Sequence, residues 1–362
     1  METHAGMIAD TSVRKAARRL GLRYLSPDTA PIERRKHGNG FSYLMHGELI
    51  RDAATRTRIQ RLVIPPAWQD VRIAADPMAH IQAKGRDEAG RTQYIYHPLW
   101  EELREQRKAK RLMEFAKALP AIRRAVKRDL AARPGSFALA VSACVALIDE
   151  TAIRVGEETH LKRTGARGAC TLRHTHVRIE GERILLCFPA KGGKEHQSEV
   201  MAAALSRALR RLKKLPGRRL FCYRTDAGTL HNIDARAINA YLSTISGRRV
   251  SAKDFRTFHA TALAGDRLAA LKPEASDRKR NRQIVSVVKE VAAMLGNTAT
   301  IARKSYVHDI VLTSFETGQL ERRWRRGAPA RRGLGAHESA LARFLERAPA
   351  RLLRRHLAAG CG

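Results

Sequence analysis

Short stretches in which apolar and polar residues alternate crowd the first part of the chain: FSYLM, DVRIAA, AHIQAKG and TQYIYH. Alternation with period two puts every second side chain on one face and predicts half-buried strands. Between them lie the turn-forming clusters SPDTAP, HGNG, HGE and IPPAW. There proline fixes φ and glycine supplies the conformations a chain reversal needs. From Leu99 the period changes. WEELREQRKAKRLMEFAKAL and IRRAVKRDLAA show helical patterning, and FALAVSACVALIDETAIRV is so apolar that it predicts a buried helix. One β island follows: CTLRHTHVRIEG and RILLCFPAKGGKEHQSEV read as two or three strands, the last pair joined by a Lys-Gly-Gly-Lys turn. Helical patterning resumes in DARAINAYLSTI, FRTFHATALAGDRLAAL, RQIVSVVKEVAAMLG and ATIARKSYVHDIV. After Thr317 the chain is rich in Arg and Ala; RRWRRGAPARRG reads as a linker and residues 337–356 as a final amphipathic helix. The fold class expected is α+β. A basic extension occupies 1–21, a small mostly β amino-terminal domain 22–98, a mainly α domain with a small β-sheet insert 99–317, and a basic carboxy-terminal tail 318–362.

Charge decides which partners suit this frame. The 362 residues include 69 Lys and Arg against 35 Asp and Glu, a formal net charge of +34, while 44% hydrophobic residues supply a real core. A folded domain with such a field concentrates polyanions, so duplex DNA or RNA is the expected partner. An anionic membrane would need a compact basic amphipathic anchor, and here the positive charge runs through the whole chain. The longest apolar stretch, 137–148, is too short to span a bilayer, and no apolar segment of signal-peptide type opens the sequence. The five cysteines are scattered without a CxxC pair, which argues against a disulfide framework and against zinc. A reducing cytoplasm, with the protein on the nucleoid, is the expected setting.

Breaking and rejoining a DNA phosphodiester without metal or ATP requires an oxygen nucleophile that stores the bond energy as a phosphoester. It also requires fixed cations on the non-bridging oxygens and a proton donor for the departing sugar oxygen. Arginine suits the cation role because its planar fork stays charged and matches phosphate. The chain offers such a set: Arg154 ending the buried helix in ETAIRVGEE, Lys191 opening the turn in FPAKGGKEH, and Lys253 and Arg256 at i, i+3 in SAKDFRTFH. Asn297 and Tyr306 follow in MLGNTATIARKSYVH.

These segments, together with IPPAW and GRDEAGRTQYIYHPLW, resemble type IB DNA topoisomerases of the short poxvirus and bacterial kind, whose catalytic fold is shared with tyrosine recombinases. The resemblance runs from about Leu22 to His308, and recombinases lack the amino-terminal β domain. It implies an ATP-independent enzyme with no cofactor and no metal. Such an enzyme relaxes supercoiled duplex DNA as a monomer clamped around it, with a flexible link expected over 98–110. Tyr306 would be the nucleophile that forms a 3′-phosphotyrosyl bond. Arg154 and Arg256 would hold the scissile phosphate, Lys191 would protonate the 5′ oxygen, and Lys253 would support them. Asn297 stands where the poxvirus enzymes carry His; an amide donates a hydrogen bond but no charge. Ala190 replaces the family's usual glycine before the hairpin lysine.

Lys194 competes with Lys191 for the hairpin role and is otherwise expected to contact DNA. In the β domain, Lys84, Arg86 and Arg91 are the expected phosphate contacts. Tyr94 and Tyr96 share a strand face that meets either the DNA or the core. Asn297 also suits a helix cap. His259 and His308 stand near the motif without matching it, and His174 with His176 makes a poor metal site. Two rivals remain at this stage: a tyrosine recombinase, and a nucleoid DNA-binding protein that has lost its chemistry.

Overall fold

The computed structural model describes residues 11–324 and 327–347, so Cys361 and the end of the expected last helix lie outside the described residues. The described residues fall into two compact units that divide between Arg107 and Lys108.

The first unit begins with helix α1 (Thr11–Arg19) and is built on strands β1 (Ile32–His37), β2 (Gly40–Met45) and β3 (Glu48–Leu49). After helix α2 (Ala53–Arg61) come β4 (Gln69–Ile73), β5 (Ile81–Arg86) and β6 (Thr92–Tyr96). All six strands join one antiparallel sheet in the order β3-β2-β1-β4-β5-β6. The four alternating runs therefore form β2, β4, β5 and β6. Their inward residues Val71, Ile73, Ala83 and Ile95 pack with Ile32 and with Ile59 of α2. Burying aliphatic side chains of this kind contributes about 2 kcal/mol each. The IPPAW turn is held by Arg34, whose guanidinium donates to the carbonyls of Ile64, Pro65 and Trp68. Trp68 in turn lies against Gly85, where a Cβ would come within 2.8 Å of the ring.

Helix α3 (Pro98–Asp129) is continuous over 32 residues, with proline at its first position. The expected flexible link over 98–110 is thus helical, and Trp100 within it is fully buried beside Val13, Ala17 and Leu22. The second unit continues through α4 (Phe137–Thr151), α5 (Glu158–Thr164), strands β7 (Val177–Glu180), β8 (Arg183–Pro189) and β9 (Glu195–Met201), and α6 (Ala203–Lys213). A short hairpin, β10 (Cys222–Arg224) with β11 (Leu230–Asn232), precedes α7 (Ala235–Ser246), α8 (Ala252–Ala269), α9 (Asp277–Leu295) and α10 (Ala299–Ser305). Helices α11 (Asp309–Glu316), α12 (Leu320–Trp324) and α13 (Ala336–Arg347) complete it. Helix α4 is buried on nearly every side, as its composition predicts. The residues read as a linker behave otherwise: Trp324 is fully buried and its ring lies against Gly265 of α8. Helix α13 buries Leu341 and Phe344, so this part of the basic tail is structural.

A buried ionic node joins four of these helices. Arg123 of α3 donates to Asp149 of α4 at 2.8 Å and to Glu338 of α13 at 2.7 Å. His259 of α8 bridges the same carboxylates, with Nε2 3.0 Å from Asp149 and Nδ1 3.3 Å from Glu338. Burial alone would lower the His259 pKa, but the two carboxylates lift it to about 9. Burial would raise Glu338, and hydrogen bonds from His259 and Arg123 instead hold it far below the usual range. His259 therefore serves this node. One of its nitrogens and one oxygen of each carboxylate lie close enough together to suit a cation, but Arg123 already supplies that charge.

Candidate active site

Four chain segments of the helical unit converge on Tyr306. Helix α4 ends at Thr151, and Ala152 turns the chain with φ 50°, a left-handed conformation unusual for a residue with a Cβ. Arg154 lies beyond that turn, in the connection to α5 rather than on the helix. Its carbonyl receives the Ala169 N–H at 2.8 Å, and Gly168 packs so tightly there that a Cβ would meet the Arg154 carbonyl oxygen at 2.4 Å. A fixed loop therefore presents the Arg154 side chain, which donates to the Asn297 side-chain oxygen.

Helix α8 starts where the Asp254 carboxylate reaches back to accept the Ser251 N–H at 2.7 Å and the Ser251 hydroxyl at 2.9 Å. Arg111 clamps Asp254 at 2.5 Å, fixing the turn that carries Lys253 and Arg256. Lys253 is exposed, whereas Arg256 is 3% exposed. A buried charge needs hydrogen-bond partners, and Arg256 finds them in backbone carbonyls. Its guanidinium donates to the carbonyl of Ala152, after α4, and to that of Leu295 at the end of α9, 3.1 Å away. Helix ends leave such carbonyls unsatisfied and carry partial negative charge. These bonds fix the guanidinium without neutralising it, since none of the acceptors is a carboxylate. Burial pulls its pKa down to about 10, still well above neutrality.

Tyr306 closes α10 as its C-cap, half-buried, with φ −130° and ψ −38°. Thr261 of α8 donates to the Tyr306 carbonyl at 3.0 Å and accepts from the His308 N–H at 3.2 Å, locking the backbone on both sides of the ring. His308 itself is buried and caps α11 through Nδ1. The Arg256 guanidinium sits 4.8 Å from the Tyr306 ring centroid. Burial alone would raise the phenol's pKa. The charge of Arg256 and its hydrogen bond outweigh that, with help from Arg154 and Lys253, and lower it. Lowering a phenol's pKa means favouring its oxyanion, which is what a tyrosine nucleophile requires.

Asn297 follows the α9 C-cap Gly296, whose φ of 59° suits glycine. Thr298, rather than Asn297, caps α10. With the Asn297 oxygen taken by Arg154, its side-chain N–H group is buried without an acceptor among the described residues. A buried donor left open in this way is suited to a ligand oxygen. Lys191 and Lys194 both stand exposed on the turn between β8 and β9, where Gly192 and Gly193 take φ of 88° and 73°. Arg154, Lys253, Arg256, Asn297 and Tyr306 thus come together, and Lys191 stands on the hairpin. Sequence reasoning missed one neighbour, His196 of β9. Its imidazole is held below its usual pKa by burial and then by the charges of Arg256 and Arg154.

In the β unit, Lys84 pairs with Asp28, Arg86 lies 3.6 Å from Asp70, and Arg91 is 2.7 Å from Asp87. Asp87 also accepts from the Arg91 and Ala89 backbone and from Gln93, so the GRDEAGRTQ motif is a self-satisfied turn. Its hydrogen bonds, chiefly from the Arg91 side chain, lower Asp87 to about 2. Tyr94 and Tyr96 share a face with ring centroids 6.0 Å apart. Tyr96 packs toward Trp100 and carries Arg104 over its ring at 4.9 Å, which gives it a packing role.

A tyrosine whose oxyanion is favoured by a buried guanidinium held on backbone carbonyls is suited to chemistry on phosphodiesters. Comparison with known proteins places it more closely. The family model described as eukaryotic DNA topoisomerase I, catalytic core, matches residues 99–324, and that of the bacterial DNA topoisomerase IB N-terminal domain matches residues 40–87. The DNA topoisomerase 1B of Acanthamoeba polyphaga mimivirus is 30% identical over 294 residues, covering 79% of this chain and 87% of the viral protein. The chain belongs to the type IB DNA topoisomerases; it is an enzyme of that family, and DNA is its partner. The solved XerH site-specific recombinase bound to difH substrate is also similar. That match has 16% identity over 60% of this chain and 55% of the recombinase, with a TM-score of 0.32, too low to bear on fold or function.

Proposed function

We propose that the enzyme relaxes supercoiled duplex DNA as a monomer, by cutting and resealing one strand through Tyr306 without ATP or metal. In this reading the Tyr306 oxygen attacks the scissile phosphorus after its proton has gone to solvent. A 3′-phosphotyrosyl bond forms as the bond from phosphorus to the 5′ oxygen breaks, and Lys191 supplies the proton to that oxygen. Arg154, Arg256 and Lys253 stabilise the charge on the non-bridging oxygens, and the open amide donor of Asn297 adds a hydrogen bond. The downstream strand then rotates, and its 5′-hydroxyl reverses the reaction. The observation that carries this reading is Arg256: a buried guanidinium fixed by two carbonyls, close against Tyr306 and lowering its pKa.

The test is relaxation of supercoiled plasmid in EDTA without ATP, by wild type and by Tyr306→Phe. Relaxation by the wild type alone is expected. No relaxation, or equal relaxation by both proteins, contradicts the assignment. Recombination between paired sites without single-plasmid relaxation would favour the recombinase reading.

A further inference from the structure

The hairpin that carries Lys191 needs something to aim it. Its turn, from Ala190 to Lys194, is closed by a single backbone hydrogen bond of 2.8 Å and contains two left-handed glycines. Among the described residues, the exposed side chains of Lys191 and Lys194 make no hydrogen bond or ion pair. One anchor lies at the end of β8, where the Arg167 N–H donates to the Pro189 carbonyl at 2.8 Å. The other is a side chain. His196 sits directly across from Phe188 in the β8–β9 register, and its imidazole lies on the Phe188 ring with centroids 4.9 Å apart. Phe188 is itself buried. Strand alternation makes His196 the inward-facing residue of β9 nearest the turn, between exposed Glu195 and exposed Gln197.

What it faces is the phosphate clamp. The Nδ1 atom of His196 lies 3.5 Å from where a Cβ on Gly296 would be, so the ring rests on the turn whose next residue, Asn297, holds Arg154. Its Nε2 is 3.0 Å from the Ser198 hydroxyl, which fixes the ring plane. We infer that His196 is a positioning residue, docking the Lys191 hairpin onto the Gly296–Asn297 turn so that the lysine meets the departing 5′ oxygen. This rests on the reading of Lys191 as the proton donor. The ring's depressed basicity fits the role: a neutral imidazole packs beside Arg154 and Arg256 without adding a repelling charge.

Leaving-group chemistry tests the inference. A sugar oxygen needs a proton to depart, whereas a 5′ sulfur in its place leaves as a stable thiolate and does not. Single-turnover cleavage is measured on duplexes built on a cleavage site mapped with the wild-type enzyme, with either oxygen or sulfur at the 5′ bridging position. With oxygen, His196→Ala is expected to slow cleavage by about tenfold or more, a part of the roughly 10²–10⁴-fold that a general acid contributes. With sulfur, the deficit should shrink to about twofold or less, because the step the lysine assists has been bypassed. His196→Gln, which keeps a polar group near the Nε2 position, should recover part of the oxygen rate. An equal deficit on both substrates would place His196 in the clamp or the fold and overturn the inference; so would an unchanged rate on oxygen. Lys191→Ala is the separate control. If sulfur does not rescue it, the proton-donor reading fails whatever His196 does. If sulfur rescues Lys191→Ala but not His196→Ala, only the positioning role fails.

Discussion

In the β unit Lys84, Arg86 and Arg91 each stand beside a carboxylate, whereas Arg256 in the helical unit is held by the carbonyls of Ala152 and Leu295. The difference separates two ways of meeting a phosphate. The β-unit pairs are largely exposed, where an ion pair contributes at most about 1 kcal/mol, so a DNA backbone can compete for those cations at little cost. Such contacts add affinity that salt erodes. Arg256 has its geometry fixed in advance and keeps its whole charge, which suits a transition state whose negative charge exceeds that of the substrate.

The first way to break this comparison is Arg256→Lys. An ammonium cannot reach both carbonyls with a planar fork, so cleavage should fall by about 10²–10³-fold while DNA affinity changes little. Quenched-flow cleavage beside a binding titration checks this, and a matching loss of affinity would put Arg256 with the β-unit cations. Next comes Glu338→Ala. Removing one carboxylate from the Arg123–Asp149–His259 node leaves buried charge uncompensated and should destabilise the protein by about 3 kcal/mol, read by denaturant unfolding. The same node gives a pH dependence. His259 has a folded pKa of about 9, raised above its ordinary value. Its contribution is therefore complete below the ordinary histidine range and is lost as pH rises through about 9. Glu338, depressed in the fold, contributes above the ordinary carboxylate range and loses its contribution as pH falls below it. Thermal unfolding from neutral to alkaline pH should show the decline, and His259→Gln should flatten it.

Smaller effects sharpen the same contrast. Asn297→Ala removes an uncharged donor and should slow cleavage by about tenfold, less than any change at Arg256. Lys84→Ala and Arg86→Ala should leave the cleavage rate of bound DNA unchanged. Each should reduce the slope of log affinity against log salt by about one. A drop in the bound-state cleavage rate would show that the β unit does more than bind.

How far these features were legible before the structure follows from the range of the interactions involved. Strands β2, β4, β5 and β6 announce themselves by alternation, and α4 by its unbroken apolarity. Strand β1, with the sequence IERRKH, has a single buried residue, and α2 buries only Ile59, so neither leaves a periodic signal. Motif spacing picked out Arg154, Asn297, Lys253, Arg256 and Tyr306. It could not show that Ala152 bends the chain, that Arg154 stands clear of the helix, or that two helix ends anchor Arg256. Those depend on segments far apart in the chain. His196 was missed for the same reason: in EHQSEV it is one polar residue among several, and only the packing of Gly296 against it marks it out. The linker reading of RRWRRGAPARRG misled at Trp324, which arginines flank and which is buried against Gly265, whereas the amphipathic pattern after it does form α13 with Leu341 and Phe344 inside.

The central claim is that Tyr306 takes the phosphate. Trapping the protein on nicked duplex DNA, digesting both components, and mapping the modified peptide by mass spectrometry tests it most directly. The account predicts a nucleotide attached through its 3′ phosphate to the phenolic oxygen of Tyr306, and no adduct with Tyr306→Phe. A nucleotide attached to any other residue, or through a 5′ phosphate, would contradict it.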